Sequence, residues 1–251
     1  GPYERACIMA NILGQRTGTL GPKRAGVNAP RVVVLDANAD IIVEKETFGG
    51  AFEQLYGNII EYYPNSEVID VASYAGGTAV TTASGSSSWS LRPGQDVANI
   101  IPNQRAVPLL MSSGLTGAGS WAPINPLSYE STVAGFDDVY VIGDAQATGQ
   151  PKSGHMANSQ AKVCVDAILR KQQSMALDDP QRLKALVTNS ACFSPVSDSE
   201  ASWLTAVFAY DQAAGAMALV PESFGASTGW SSRNYQRMFG WSNNLLADTF
   251  L

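Results

Sequence analysis

The chain has 251 residues, 45% of them hydrophobic and 15% charged, and a formal net charge of −6. That length suffices for one large or two small domains with a sizeable core. The acidic balance argues against nucleic acid as a partner, because phosphate binding needs a basic surface, and no apolar run approaches the ~20 residues that span a bilayer.

The first residues open directly into a helical pattern, with Ala6, Met9, Ala10 and Leu13 on one face. Pro2 suits a first turn and Glu4 complements the helix dipole. Residues 14–30, rich in glycine and proline, read as a surface loop. Residues 31–36 read as a strand through Val32, Val33, Val34 and Leu35. Asp36 ends it, where dinucleotide-binding domains place the acid that meets a ribose. Residues 1–36 are therefore expected to be the helix and second strand of a βαβ unit whose first strand and glycine loop are absent from this chain. A helix is expected over 46–56, with Phe48, Phe52 and Leu55 on one face. A strand over 67–71 follows, and then a hairpin of 78–82 with 88–91 around a small-residue turn at 83–87.

The stretch from Asp137 to Arg170 organises the rest. Val139, Tyr140, Val141 and Ile142 read as a short buried strand ahead of Gly143-Asp144. Gly143 permits a close backbone approach, and Asp144 sets a carboxylate at the strand's C-terminal end, where open α/β sheets bind ligands. Pro151 reads as a first helical residue, followed at helical spacing by Ala157, Ala161, Cys164, Val165 and Ile168. Lys152 and Ser153 then stand at a helix start that offers N–H groups and a positive dipole end. Beyond a polar stretch at 172–179, a short helix is expected over 181–187. Residues 191–220 read as an antiparallel sheet, with Trp203, Thr205, Val207 and Ala209 on one phase and Leu204, Ala206 and Phe208 on the other. The tail holds Trp230, Tyr235, Phe239, Trp241 and Phe250, a density most often found in a core. Cys7, Cys164 and Cys192 form no metal-type spacing, and Cys7 and Cys164 read as small buried thiols. The single His155, just inside the expected helix, reads as a hydrogen-bonded histidine or a ligand-side one.

The run VIGDA…PKSGHMANSQAKV, starting at Val141, resembles the second flavin-binding motif of two-dinucleotide-domain flavoproteins. It is similar in particular to the flavoprotein subunit of flavocytochrome c sulfide dehydrogenase, a relative of sulfide:quinone oxidoreductase. GPYERA at 1–6, VVVLDAN at 32–38, IIPNQRA at 100–106 and WSNNLLADTFL at the end follow in the family's order. The resemblance covers the later part of the family's length. It implies an α/β protein: a partial tandem Rossmann-like, FAD/NAD(P)-binding fold plus a C-terminal α+β domain. The implied divisions are 1–100 for the rest of the second nucleotide-binding-like domain, 101–172 for the FAD domain's C-terminal segment, and 173–251 for an interface domain.

The resemblance also implies a function: an FAD-dependent oxidoreductase subunit passing electrons from a sulfur or other donor to a c-type cytochrome subunit that carries haem. It implies a periplasmic location and an N-terminal flavoprotein half, in the same chain or a separate one. Gln104, Arg105, Trp121, Gly143, Asp144, Lys152 and Ser153 become the expected flavin-side residues. In members of the family, sulfide attacks a redox-active cystine beside the flavin. One family cysteine falls ahead of Gly1, and the other falls on Ala122, where Trp121-Ala122-Pro123 replaces Trp-Cys-Pro. Alanine cannot form that cystine, so the sulfide chemistry is in doubt. Without the glycine loop that holds the pyrophosphate, residues 1–251 alone are expected to bind FAD weakly. Two further readings stand beside this one: a structural or electron-relay subunit derived from such a flavoprotein, and a plain NAD(P)-binding module, which Asp36 fits but which lacks a GxGxxG.

Overall fold

The computed structural model describes residues 1–74, 77–83, 88–92 and 96–250. They divide into two compact units: 1–102 with 193–202 and 227–237, and 103–192 with 203–226 and 238–251.

The first unit is built on α1 (Pro2–Thr17), β1 (Val32–Leu35), α2 (Lys45–Gln54) and β2 (Ile60–Tyr63). β1 and β2 pair in parallel, Val32 opposite Ile60 through Leu35 opposite Tyr63. A parallel pair needs a crossover, and α2 supplies it. β2 escaped the sequence reading because four residues beside a helix end give no period to measure. α1 buries Tyr3, Ala6, Cys7, Ala10 and Gly14, while Met9 is 50% exposed. The expected face is thus turned towards the small residues, and the reason is close packing. A Cβ on Gly14 would meet the Ile59 side chain at 2.7 Å. Gly18, in the left-handed region at φ 67°, ends the helix by returning its N–H to the Gly14 carbonyl. Phe48, Ala51, Phe52, Tyr56 and Ile59 complete this core. β3 (Val68–Tyr74), β4 (Gly77–Thr82) and β5 (Ser88–Leu91) form an antiparallel sheet in that order, as the alternation in the sequence predicts. Of the turn expected between β4 and β5, residues 84–87 lie outside the described residues.

The second unit holds α3 (Pro108–Ser112), α4 (Gly154–Gln172), α5 (Pro180–Ala185) and strands β6 (Val187–Pro195), β7 (Ala201–Asp211), β8 (Ala216–Leu219) and β9 (Gly225–Ala226). The long helix α6 (Ser232–Phe250) closes the chain, its last turns counting with this unit. β6, β7 and β8 run side by side, with β9 antiparallel on β7. The antiparallel sheet is therefore present, and the Ala206–Phe208 phase is the one that faces the core, against Met217 on β8. Tyr129, Met156, Val163, Cys164 and Leu186 fill the same core.

Two expectations are corrected here. Residues 139–142 do not form a strand; Tyr140 makes a single bridge to Glu130, and the Val141 N–H donates to the Tyr129 carbonyl. A buried strand needs neighbours on both sides to take its backbone groups, and residues 129–131 give this run only one antiparallel bridge on one side. α4 starts at Gly154 rather than Pro151, and it buries Met156, Ser159, Gln160, Val163, Cys164 and Ala167 while Val165 is 55% exposed. The buried face includes Ser159 and Gln160 because their side chains are hydrogen-bonded, which a count of apolar residues misses. No helix among the described residues is long and apolar enough to cross a membrane.

Candidate functional site

Three backbone segments of the second unit meet around Trp121, Asp144 and Lys152. Ala122 donates its N–H to the Ala145 carbonyl at 2.9 Å and accepts from the Ala147 N–H at 2.9 Å, so it pairs in parallel with Gln146. Lys152 clamps the same turn. Its Nζ donates to the carbonyls of Asp144 (2.9 Å) and Gln146 (2.7 Å) and lies 3.9 Å from the centre of the Trp121 ring. An ammonium over an indole face is a favourable cation–π contact. Burial lowers the pKa of Lys152, with the Asp144 carboxylate acting in the opposite direction.

Gly143 takes the left-handed conformation, φ 69°, at the start of the turn, a conformation that favours glycine. Its N–H donates to Gln160 Oε1 at 2.7 Å. Behind it runs a buried network centred on Gln150 Oε1, which accepts from Tyr129 Oη, Thr148 Oγ1 and Gln160 Nε2. Gln150 Nε2 in turn donates to Thr188 Oγ1 on β6. A network satisfied in this way fixes one geometry, so the Asp144 turn stands on a rigid support. The Asp144 side chain itself is exposed. Gln146 was not foreseen. It is completely buried, its Oε1 accepts the Thr148 N–H, and its Nε2 has no hydrogen-bond partner. No spacing rule singles out a glutamine that becomes notable only through what surrounds it.

Ser153 caps α4, its Oγ accepting the Met156 N–H at 3.2 Å, and it shares a 2.9 Å hydrogen bond with Ser190 on β6. His155 is hydrogen-bonded: its Nδ1 accepts the Ala191 N–H at 2.9 Å, and its ring meets Trp241 of α6 edge-on. With Asn158, Lys162, Leu245 and Asp248 these two rings line a cavity of about 260 Å³, across which Lys162 and Asp248 form an ion pair.

The expected site residues thus divide. Trp121, Gly143, Asp144, Lys152 and Ser153 come together around one turn and one helix start. Gln104 and Arg105 sit on an exposed loop; the next residue, Ala106, donates its N–H to the Ser120 carbonyl, one residue before Trp121. In the first unit, the Asp36 carboxylate is committed within the chain. Oδ2 accepts from Tyr3 Oη at 2.6 Å and Tyr62 Oη at 2.9 Å, and Oδ1 accepts from the backbone and side-chain nitrogens of Asn38. Burial pushes its pKa up, but these bonds outweigh it and hold the carboxyl below its usual range. A ribose would have to break one of them. Among the described residues no group of histidine, cysteine and acidic side chains could hold a metal ion.

Two family models match the chain. The one for the sulfide dehydrogenase (flavocytochrome c) flavoprotein chain, central, covers residues 1–102. The one for flavocytochrome c sulphide dehydrogenase, flavin-binding, covers residues 184–250. Residues 103–183 lie outside both, yet Thr188, Ser190 and Ala191 of the flavin-binding match are hydrogen-bonded to the Gly143 support and the first turn of α4. Two matches to one flavoprotein, in order along the sequence, assign this chain to the flavoprotein family of flavocytochrome c sulfide dehydrogenase.

Proposed function

We propose that this chain is the flavin-handling part of an FAD-dependent oxidoreductase subunit that moves electrons from a sulfur or other donor to a c-type cytochrome partner, with FAD as its cofactor. The observation that carries this reading is the seat of α4: a capped helix start, flanked by Lys152 and the Asp144 turn and held from behind by β6 of the flavin-binding match.

The residues fit the group. Asp144 offers an exposed carboxylate for ribityl hydroxyls, and the N-terminus of α4 with Lys152 supplies positive potential for the electron-rich pyrimidine side of the ring. The flavin, when bound, supplies the electron chemistry, and the chain binds, orients and tunes it. Lys152, tied to two carbonyls and to Trp121, fixes the turn from which Asp144 projects. The periplasm, the haem on a partner subunit and an N-terminal flavoprotein half belong to the same reading.

Ala122 favours a second reading for the sulfur chemistry. It is fully buried, and both its backbone groups are spent on the Asp144 turn. A methyl group offers no sulfur for attack and no thiolate to leave. The chain then serves as an electron-relay or structural subunit that keeps the flavin fold without the cystine reaction. The deciding experiment loads the protein with FAD and compares reduction by dithionite and by sulfide, in the wild type and in Ala122→Cys with the preceding half of the flavoprotein supplied. Dithionite should reduce both, and sulfide should reduce the wild type slowly or not at all. A wild type that turns over sulfide as fast as Ala122→Cys overturns the cystine argument; failure of either form to take up FAD overturns the flavin reading itself.

A further inference from the structure

We infer that His155 is a proton-operated switch: neutral, it holds the first turn of α4 to β6; protonated, it leaves β6, enters the cavity beside it and pairs with Asp248 of α6. The switch does not depend on the flavin reading, since none of its groups belongs to the Asp144 turn. His155, Asn158 and Lys162 recur at helical spacing on α4 and face the later half of α6. That half is lightly held, with no buried residue from 238 to 250. His155 Nδ1 accepts the Ala191 N–H at 2.9 Å, so the neutral ring carries its proton on Nε2. A protonated ring presents an N–H at both nitrogens. Two donors cannot share one hydrogen bond, so protonation drives the ring off Ala191.

The ring has somewhere to go. It already lines the cavity of about 260 Å³ between α4 and α6. On the far side, Asp248 Oδ2 accepts from Lys162 Nζ at 2.7 Å and from Asn158 Nδ2 at 3.0 Å, while Oδ1 takes neither. Asn158 thus reaches Asp248 from the same stripe, less than one turn beyond His155. Lys162 and Asn158 hold the Asp248 carboxyl below its usual range, so it stays ionised while a histidine titrates. The charged groups that face the ring are Lys162 on α4, which opposes the imidazolium, and Asp248 on α6, which favours it; β6 presents the Ala191 amide. Burial is the largest influence and sets the change of state below pH 6.5. The Trp241 ring, edge-on to His155 at 6.1 Å, reports any movement of the imidazole.

The experiment is a pH titration of the 251-residue chain from 7.5 to 4.5 by nitrogen–proton correlation spectroscopy. It follows the ring nitrogens of the single histidine, the Ala191 amide and the Trp241 indole, in wild type and Asp248→Asn. All three signals should change with one midpoint below 6.5. Exchange of the Ala191 amide, corrected for its intrinsic pH dependence, should quicken about tenfold with the loss of its hydrogen bond. In Asp248→Asn the histidine midpoint should fall by about half a pH unit, the effect of one partly exposed ion pair, and the Trp241 signal should no longer follow it. An Ala191 amide that stays protected after the histidine has titrated overturns the inference. So does an unchanged midpoint in Asp248→Asn, which reduces the event to the loss of one hydrogen bond with no transfer to α6. A histidine that does not titrate above pH 4.5 overturns it as well.

Discussion

The carboxylate of Asp36 is enclosed by four donors, whereas that of Asp144 is exposed and only its backbone oxygen is engaged, by Lys152. Both residues follow an apolar run, and both look like dinucleotide-binding acids in sequence. The first has become a structural node between α1, β1 and β2; the second projects from a turn that its own surroundings hold still. An acid at the end of an apolar run is available to a ligand only when the fold has not already filled its lone pairs.

The largest effect that sharpens this contrast is at Asp36. Asp36→Ala strands the hydroxyls of Tyr3 and Tyr62 and should cost about 2–4 kcal/mol of stability. Urea unfolding should show the midpoint falling while the FAD affinity of the folded protein is unchanged. The burial and the Asp36 contact that push Tyr3 up to about 12 mark how closely that hydroxyl is held.

Gln160→Leu probes the support beneath the Asp144 turn. It removes the acceptor of the Gly143 N–H and one of the three donors to Gln150 Oε1, and should cost about 1–3 kcal/mol. Unlike Asp36→Ala, it should also weaken FAD binding, because the turn loses its fixed position. Equal FAD affinity in Gln160→Leu and wild type would show that the network serves stability alone.

The smallest effect is a pH dependence at His155, the chain's one histidine. Burial, with the Lys162 charge in the same direction, holds its pKa below the usual value of 6.5, although the Asp248 carboxylate opposes this. The neutral ring accepts the Ala191 N–H and a protonated Nδ1 cannot. A folded pKa below the unfolded one means stability is full above about pH 6.5 and declines as the pH falls below it. The loss should approach about 1 kcal/mol, one hydrogen bond, and should vanish in His155→Gln, as read from thermal melts between pH 5 and 7.5.

Much of the fold was legible because its signals are periodic or positional: the α1 start at Pro2, the β1 run, the β3–β5 alternation and the alternation of β7, though not which of its two phases faces the core. What failed has a common cause. The strand at 139–142 and the apolar faces of α1 and α4 were judged from hydrophobicity alone. Tertiary hydrogen bonds and small-residue packing decided them instead: Gln160 is buried because Gly143 needs an acceptor, and Met9 is exposed because Gly14 and Ala10 make the closer seam. At the site, residue identity placed Trp121, Asp144, Lys152 and Ser153 near one another through the family motif, but only the fold shows the ammonium lying on the indole. Gln146 carries no motif at all; its interest arises from a neighbourhood assembled from residues 24 positions apart.

On the proposed reading the Asp144 turn, and not the Asp36 node, is the flavin side of this chain. The most direct test is the FAD dissociation constant of the wild type, Asp144→Ala and Asp36→Asn, each with the preceding half of the flavoprotein supplied, measured by quenching of flavin fluorescence under one set of conditions. Loss of a charge-assisted hydrogen bond is worth about 1.5–3 kcal/mol, so Asp144→Ala should bind FAD about 10- to 150-fold more weakly, while Asp36→Asn, if folded, should match the wild type. An unchanged constant for Asp144→Ala, or a loss confined to Asp36→Asn, would contradict the claim and move the flavin away from this turn.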